Sequence, residues 1–244
     1  MKIITSRSNH LIKHVCTLHS KSGRYTHGEF IAEGLRTIQA LIESKNTLVT
    51  LYILQGLPAD ITYDQSRITF VTPEVMAKIS TTKTPSGYLA VFKMPPQPLP
   101  ELRQGIVLAN ISDPGNMGTL IRTAAAMNMH DVVIVEGCDP WSPKVVQATA
   151  GTIGAVTMHQ YSWRELITIK KEKKLCALVV SNGKPLESVI DQDLLLVVGN
   201  EAHGIPQEWL NDCELRGTIA MPGNTESLNA AVAGSIALYI LSQH

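Results

Sequence analysis

The chain is 244 residues long, carries 21 Lys and Arg against 21 Asp and Glu, and is 44% hydrophobic. This composition can form a folded core, so it excludes intrinsic disorder and fibrous structure. Its apolar runs are shorter than the roughly 20 residues that cross a bilayer, and its N-terminus lacks the apolar segment of a signal peptide. We expect a soluble cytoplasmic protein without a membrane partner.

The neutral total hides an uneven distribution of charge. Residues 1–100 contain 11 Lys and Arg against 6 Asp and Glu, whereas residues 101–244 contain 10 against 15. Near the start, basic side chains alternate with four histidines, and the basic residues are Arg7, Lys13, Lys21 and Arg24. Such a surface can bind a polyanion, but a solvated helix face explains the same charges equally well.

The four cysteines are far apart in the sequence and form no C-x-x-C pair. The pattern indicates neither a zinc site nor a disulfide framework, so we predict reduced thiols and no metal.

In the first 94 residues, apolar residues recur with helical spacing in some segments and with strand spacing in others, which predicts a small α/β domain. Helices are predicted at 9–20, 35–44 and 73–79, and strands at 29–32, 48–54, 67–71 and 88–92. Four of the six residues at 95–100 are proline, which favours an extended chain. The sequence therefore predicts domains at 1–94 and 101–244 joined by a linker at 95–100.

The sequence of the second domain predicts a parallel sheet covered by helices. Short continuous apolar runs, typical of strands buried on both faces, lie at 106–109, 132–135, 176–180 and 194–198. Predicted helices lie at 117–127, 142–150, 163–174 and 227–242. We interpret the basic end of the third of these helices as a solvated C-terminus. Ligands of such α/β folds bind at the carboxyl ends of the strands.

Three polar segments that are rich in small residues lie beside these apolar runs in the sequence, and we predict that they are loops. They are Asp113-Pro-Gly-Asn-Met-Gly118, Gly199-Asn-Glu201, and Met221-Pro-Gly223 with the following Ser227-Leu-Asn229. The loop after the first strand of the second domain has no G-x-G-x-x-G motif, and the chain has no P-loop motif, which disfavours nicotinamide or ATP chemistry.

Each loop offers candidate functional side chains. We predict Asn116 as a helix cap, and Arg122 as a guanidinium in apolar surroundings that requires an anionic partner. Glu201, which follows an apolar run through Gly199 and Asn200, is the predicted partner, and an acid at the start of a helix before Pro206 is the alternative. In the last loop Ser227 is the predicted N-cap and Asn229 lies in the first helical turn. The small residues at 230–237 predict close packing against another element or a subunit.

These segments resemble the SpoU/TrmH family of RNA 2′-O-methyltransferases in the SPOUT superfamily. The first motif covers Asn110-Ile-Ser-Asp-Pro-Gly-Asn-Met-Gly-Thr-Leu-Ile-Arg-Thr-Ala, the second begins at Val198-Gly-Asn-Glu, and the third runs through Ile219-Ala-Met-Pro to Ser227-Leu-Asn-Ala-Ala. Arg24 and the segment 28–36 are similar to that family's RNA substrate-binding domain.

The resemblance implies an S-adenosylmethionine-dependent enzyme that methylates a ribose 2′-OH of RNA. It implies an α/β parallel-sheet domain with a deep trefoil knot, a smaller N-terminal α/β RNA-binding domain, and a homodimer formed through the C-terminal domain. The implied catalytic residues are Asn116, Arg122, Glu201, Ser227 and Asn229. The implied cofactor-binding residues are Gly199, Ile219, Met221 and Leu228. The candidate RNA-binding residues are Arg7, Lys13, Lys21, Arg24 and Arg36.

Three alternatives stay open. The RNA is rRNA or tRNA, and we favour rRNA because separate N-terminal RNA-binding domains occur in the rRNA-modifying members of the family. A non-catalytic RNA-binding protein of the same fold is a second possibility, and a nucleotide-dependent enzyme of the ordinary open-sheet type is a third.

Overall fold

The computed structural model describes residues 3–59, 64–190, 194–223 and 227–243. Residues 224–226, part of the third motif, therefore lie outside the described residues. The chain forms two compact units. One comprises the chain up to Pro96 together with Trp141–Ala155, and the other comprises Gln97–Pro140 and the chain from Val156 onward.

Helices and strands alternate along both units. The helices are α1 (His10–Thr17), α2 (Lys21–His27), α3 (Leu35–Glu43), α4 (Pro73–Ile79), α5 (Pro114–Ala126), α6 (Pro143–Thr149), α7 (Trp163–Ile169), α8 (Gln207–Asn211) and α9 (Ala230–Leu241). The strands are β1 (Ile3–Ile4), β2 (Glu29–Glu33), β3 (Leu48–Leu54), β4 (Ile68–Val71), β5 (Tyr88–Lys93), β6 (Gly105–Ala109), β7 (Asp131–Val135), β8 (Thr157–Tyr161), β9 (Lys174–Leu178), β10 (Lys184–Pro185), β11 (Leu194–Val198) and β12 (Leu215–Thr218).

The first unit contains a mixed sheet with the strand order β1-β4-β3-β5-β2. Strand β5 pairs antiparallel with both β2 and β3, and β3 pairs parallel with β4. The helix predicted at 9–20 is α1, which Asn9 caps and which ends at Thr17. Ser20 caps a second helix, α2, which was not predicted.

The segment Trp141–Ala155 belongs to the first unit, although its position in the sequence suggested the second domain. The Trp141 ring packs on Phe30 of β2, with 4.9 Å between the ring centroids. Gly151 adopts φ +90°, and a Cβ there would lie 2.7 Å from the Thr37 carbonyl oxygen of α3. This close approach requires glycine.

The second unit contains a sheet in which all described pairings are parallel, with the strand order β10-β12-β9-β11-β6-β7-β8. Strands β6, β7 and β11 are buried along their whole length, as continuous apolar runs predict. The predicted α/β fold class is confirmed. The trefoil knot implied by the resemblance stays a prediction.

The region around residue 170 differs from the prediction. Helix α7 ends at Ile169 and β9 begins at Lys174, so the basic run is a turn and not a helix C-terminus. Lys170 is buried, and its ammonium group binds Glu214 at 2.6 Å. Strands β8 and β12 were not predicted, because their Thr, His, Gln and Arg residues interrupt the apolar pattern.

Within the described ranges, no helix has the length and apolar character that a membrane-spanning segment needs.

Candidate active site

A cavity of about 240 Å³ lies in the second unit, at the carboxyl ends of β9, β11 and β12. Its walls come from these strand ends, the loop at 199–204 and the residues just before α9. The residues that the resemblance assigns to the cofactor all line this cavity, namely Gly199, Ile219, Met221 and Leu228. Carboxyl strand ends are the usual ligand position in parallel α/β folds.

The loop at 199–204 is tight because its backbone closes on itself. The Asn200 N–H donates to the Gly204 carbonyl at 3.0 Å, and the Gly204 N–H donates to the Asn200 carbonyl at 2.9 Å. A Cβ at Gly199 would lie 2.5 Å from the Gly204 carbonyl carbon, so a larger residue at 199 would push the two sides of the loop apart.

Glu201 projects from this loop and binds the first motif. Its carboxylate accepts hydrogen bonds from Ser112 Oγ at 3.0 Å, from the Asp113 N–H at 3.2 Å, and from Asn116 Nδ2 at 3.0 Å. Partial burial alone would raise the pKa of Glu201, but the hydrogen bonds from the Asn116 amide and from backbone N–H groups outweigh it and lower the pKa to about 2. The carboxylate is therefore ionised at neutral pH.

Asn116 links Glu201 to the third motif. Its Nδ2 donates to Glu201, and its Oδ1 accepts from Asn229 Nδ2 at 3.2 Å. Asn229 in turn accepts the N–H groups of Ala231 and Val232. Three residues separated by 85 and 113 positions in sequence thus form one hydrogen-bonded chain.

Both predicted helix caps are wrong. Asp113 caps α5 by accepting the Asn116 N–H at 2.8 Å, so Asn116 lies in the first turn and its side chain is available to Glu201. Asn229, not Ser227, caps α9. Ser227 lies two residues before the cap and lines the cavity.

The predicted pairing of Arg122 with Glu201 is also wrong. The Arg122 side chain is exposed, and no hydrogen bond or ion pair of it is present among the described residues. Arg122 follows Asn116 by six residues, which turns the helix by about 240° beyond one full turn. Arg122 therefore projects from a different face of α5 than Asn116, the residue that binds Glu201.

The predicted RNA-binding residues of the first unit fall into two groups. Arg7, Lys13, Lys21 and Arg36 are exposed. Arg24 is only 3% exposed, and its guanidinium donates to the carbonyls of Leu18 and His19 at 2.8 and 2.9 Å. The prediction for Arg24 is therefore corrected: the residue ties the end of α1 to α2.

Helix α9 packs closely on α5, in agreement with its small residues. A Cβ at Gly234 would lie 2.4 Å from Leu120 Cδ2 of α5, and the hydroxyls of Thr123 and Ser235 are 2.9 Å apart. On its other side α9 exposes Val232, Ile236 and Tyr239.

The sequence did not single out Ser112 and Asn200, which join the first loop to the second. Both are small polar residues inside the recognised motifs. Their position in those motifs was the available signal, but their partners are long-range and could not be derived from it.

The fold and this site define an α/β protein that holds a small molecule at the carboxyl edge of a parallel sheet. Residues 104–239 match the model of the SpoU rRNA methylase family, and residues 9–90 match an MRM3-like substrate-binding domain. The chain belongs to the SpoU rRNA methylase family, which confirms the resemblance.

Two curated relatives and one solved structure match almost the whole chain. The 23S rRNA (guanosine(2553)-2′-O)-methyltransferase RlmP of Bacillus subtilis is 27% identical, over 99% of each chain. A 23S rRNA (uridine(2479)-2′-O)-methyltransferase of Streptomyces viridochromogenes is 26% identical, over 97% of this chain and 90% of the relative. The crystal structure of an AdoMet-bound rRNA methyltransferase from Sinorhizobium meliloti superposes with a TM-score of 0.86 at 25% identity, over 100% of this chain and 98% of that one.

Proposed function

We propose that this protein transfers a methyl group from S-adenosylmethionine to a ribose 2′-hydroxyl of rRNA. The observation that carries the proposal is that the second and third motifs line one cavity, and that Asn116 of the first motif is hydrogen-bonded to Glu201 in its wall. Full-length similarity to two ribose 2′-O-methyltransferases of 23S rRNA supports the reaction type and the class of RNA.

The residues present suit S-adenosylmethionine. Ile219 and Leu228 give the cavity apolar walls, and the backbone of the 199–204 loop supplies polar groups at its rim. A pocket of this mixed character fits a ligand with a flat purine and a polar amino-acid tail. When bound, S-adenosylmethionine supplies the electrophilic methyl group.

The proposed roles of the polar residues follow from their contacts. Glu201 holds Asn116, and Asn116 holds Asn229, so the three loops keep one geometry before RNA arrives. Arg122 is exposed and so is available to bind a phosphate of the RNA and to stabilise the alkoxide that develops on the 2′-oxygen. Arginine stays protonated in proteins, which argues against a role as the proton acceptor. Ser227 lines the cavity beside Leu228 and is proposed to position the acceptor nucleotide.

RNA selection is proposed to lie in the first unit. Its exposed residues Arg7, Lys13, Lys21 and Arg36 provide positive charge, and residues 9–90 match a substrate-binding domain. The 2′-hydroxyl that receives the methyl group must reach the active site, which favours a nucleotide in a loop or a single strand.

We further propose a cytoplasmic homodimer formed through the second unit. The support is the exposed stripe of Val232, Ile236 and Tyr239, whose spacing places them on one face of α9. Sedimentation velocity tests this state, with Tyr239→Lys expected to shift the protein toward a monomer. A wild-type protein that is monomeric at micromolar concentration would contradict it.

The decisive experiment is transfer of a tritiated methyl group from S-adenosylmethionine to 23S rRNA and, in parallel, to total tRNA. We expect labelled rRNA, and ribose 2′-O-methylation in the hydrolysed product. Arg122→Ala should lose most of the rate at saturating RNA while binding the cofactor normally in calorimetry. Labelling of tRNA alone would replace rRNA as the substrate, and cofactor binding without transfer to either RNA would favour a non-catalytic RNA-binding protein.

A further inference from the structure

Asn200 uses the whole hydrogen-bonding capacity of its side-chain amide. Its Oδ1 accepts the N–H groups of Ala202 at 2.9 Å and His203 at 3.1 Å. Its Nδ2 donates to the Asn110 carbonyl at 2.9 Å and lies 3.4 Å from Ser112 Oγ. The oxygen therefore serves the loop that lines the cavity, and the nitrogen reaches across to the first motif.

The residues reached by Nδ2 control the geometry of the first motif. Asn110 directly follows β6 and has a left-handed conformation with φ +58°, which is uncommon for a residue other than glycine. Ser112 receives the Asn200 amide and itself donates to the Glu201 carboxylate at 3.0 Å. A continuous path thus runs from Asn200 through Ser112 to Glu201 and on to Asn116.

We propose that Asn200 is a positioning residue for methyl transfer, which sets the separation between the cofactor loop at 199–204 and the start of α5. Asn200 lines the cavity, but it reaches the first motif through Ser112, Glu201 and Asn116, and so acts on the orientation of groups that meet the acceptor nucleotide. This inference rests on the proposed function of the site and extends it to a residue and a bond that the three-motif pattern does not single out.

The two halves of the amide can be separated by substitution. Asn200→Asp retains the oxygen that accepts Ala202 and His203 but loses the donor to Asn110. Asn200→Ser retains a hydroxyl that can accept a nearby N–H, but it is too short to span the loops. In both variants the cavity loop should persist while the first motif shifts. Asn128→Asp is the control for the same change of side chain, because Asn128 is an exposed asparagine of the same unit.

The expected result is a split between rate and cofactor binding. Both Asn200 variants should lower kcat by about 10- to 100-fold, because small misplacements of reacting groups have effects of this size. The dissociation constant for S-adenosylmethionine should change by less than about threefold, since the cavity loop keeps its own bonds. Asn128→Asp should match the wild type in both measurements.

Two further readouts distinguish positioning from general stability. Asn200→Gln keeps both halves of the amide, so its kcat should lie between that of the wild type and those of Asn200→Asp and Asn200→Ser. In hydrogen exchange, amides at 110–116 should exchange faster in both variants, while those at 202–205 should stay as in the wild type.

The outcomes separate this inference from the proposed function. If the wild type methylates RNA and both Asn200 variants retain its kcat, the positioning role is refuted. Loss of cofactor affinity in step with kcat, or faster exchange at 202–205 with no change at 110–116, would show instead that Asn200 serves only the cavity loop. If the wild type transfers no methyl group, the proposed function fails, and the hydrogen exchange still tests whether Asn200 holds the first motif.

Discussion

Glu201→Gln should destabilise the second unit, and the loss should depend on pH. The substitution keeps one oxygen that can accept from Asn116, but it places an NH₂ group against the donors of Ser112 and removes the ionised acceptor. Taken at face value, a pKa lowered from 4.5 to about 2 stabilises the folded state by about 3 kcal/mol at neutral pH. Because Glu201 is exposed, screening by solvent reduces this to about 1 kcal/mol.

The sign of the pH dependence follows from the lowered pKa. The stabilisation is fully present above pH 4.5 and is lost as the pH falls toward about 2, where the folded protein takes up the proton. The wild type should therefore exceed Glu201→Gln by about 1 kcal/mol at pH 7, and the difference should shrink as the pH falls below 4.5.

Urea unfolding followed by tryptophan fluorescence can measure this difference. Trp163 and Trp209 stack in the second unit with 4.8 Å between ring centroids, whereas Trp141 lies in the first unit. A Trp141→Phe background makes the fluorescence report the second unit alone. Glu172→Gln, at an exposed position, is the control for loss of charge. Equal stability of wild type and Glu201→Gln at pH 7, or a difference that persists unchanged to pH 3, would refute the reasoning.

Four further substitutions test contacts in the two units and the corrected assignment of Arg24. Gly234→Val should destabilise the second unit by about 2 kcal/mol in the same urea assay, because its Cβ would meet Leu120 at 2.4 Å; an unchanged midpoint would contradict this packing. Glu33→Ala should cost the first unit about 2 kcal/mol and speed amide exchange at 80–82, since the buried Glu33 carboxylate accepts donors of that loop. Arg24→Ala should lower the melting temperature, while the RNA affinity of the folded fraction stays unchanged. Lys21→Ala should weaken RNA binding and leave the melting temperature unchanged. The reverse pattern would restore Arg24 as an RNA-binding residue.

Elements with a strong local signal were predicted well. The apolar runs of β3 and β11 have the predicted bounds, and α4 begins and ends at the predicted residues. Strands β8 and β12 carry polar residues within short runs, so local periodicity could not separate them from loops. The helix caps failed for a related reason, because Asp113 and Asn116 are both good caps in sequence and only the backbone path decides between them.

The sequence by itself determined the parallel α/β class, the three motifs and the family, because apolar periodicity and motif spacing are properties of neighbouring residues. Tertiary structure alone decided which polar groups meet. It paired Glu201 with Asn116, left Arg122 exposed, buried Arg24, and placed Trp141–Ala155 in the first unit. These outcomes depend on helix rotation and on contacts between residues far apart in the chain, and no local pattern encodes the free energy that selects one such contact over another.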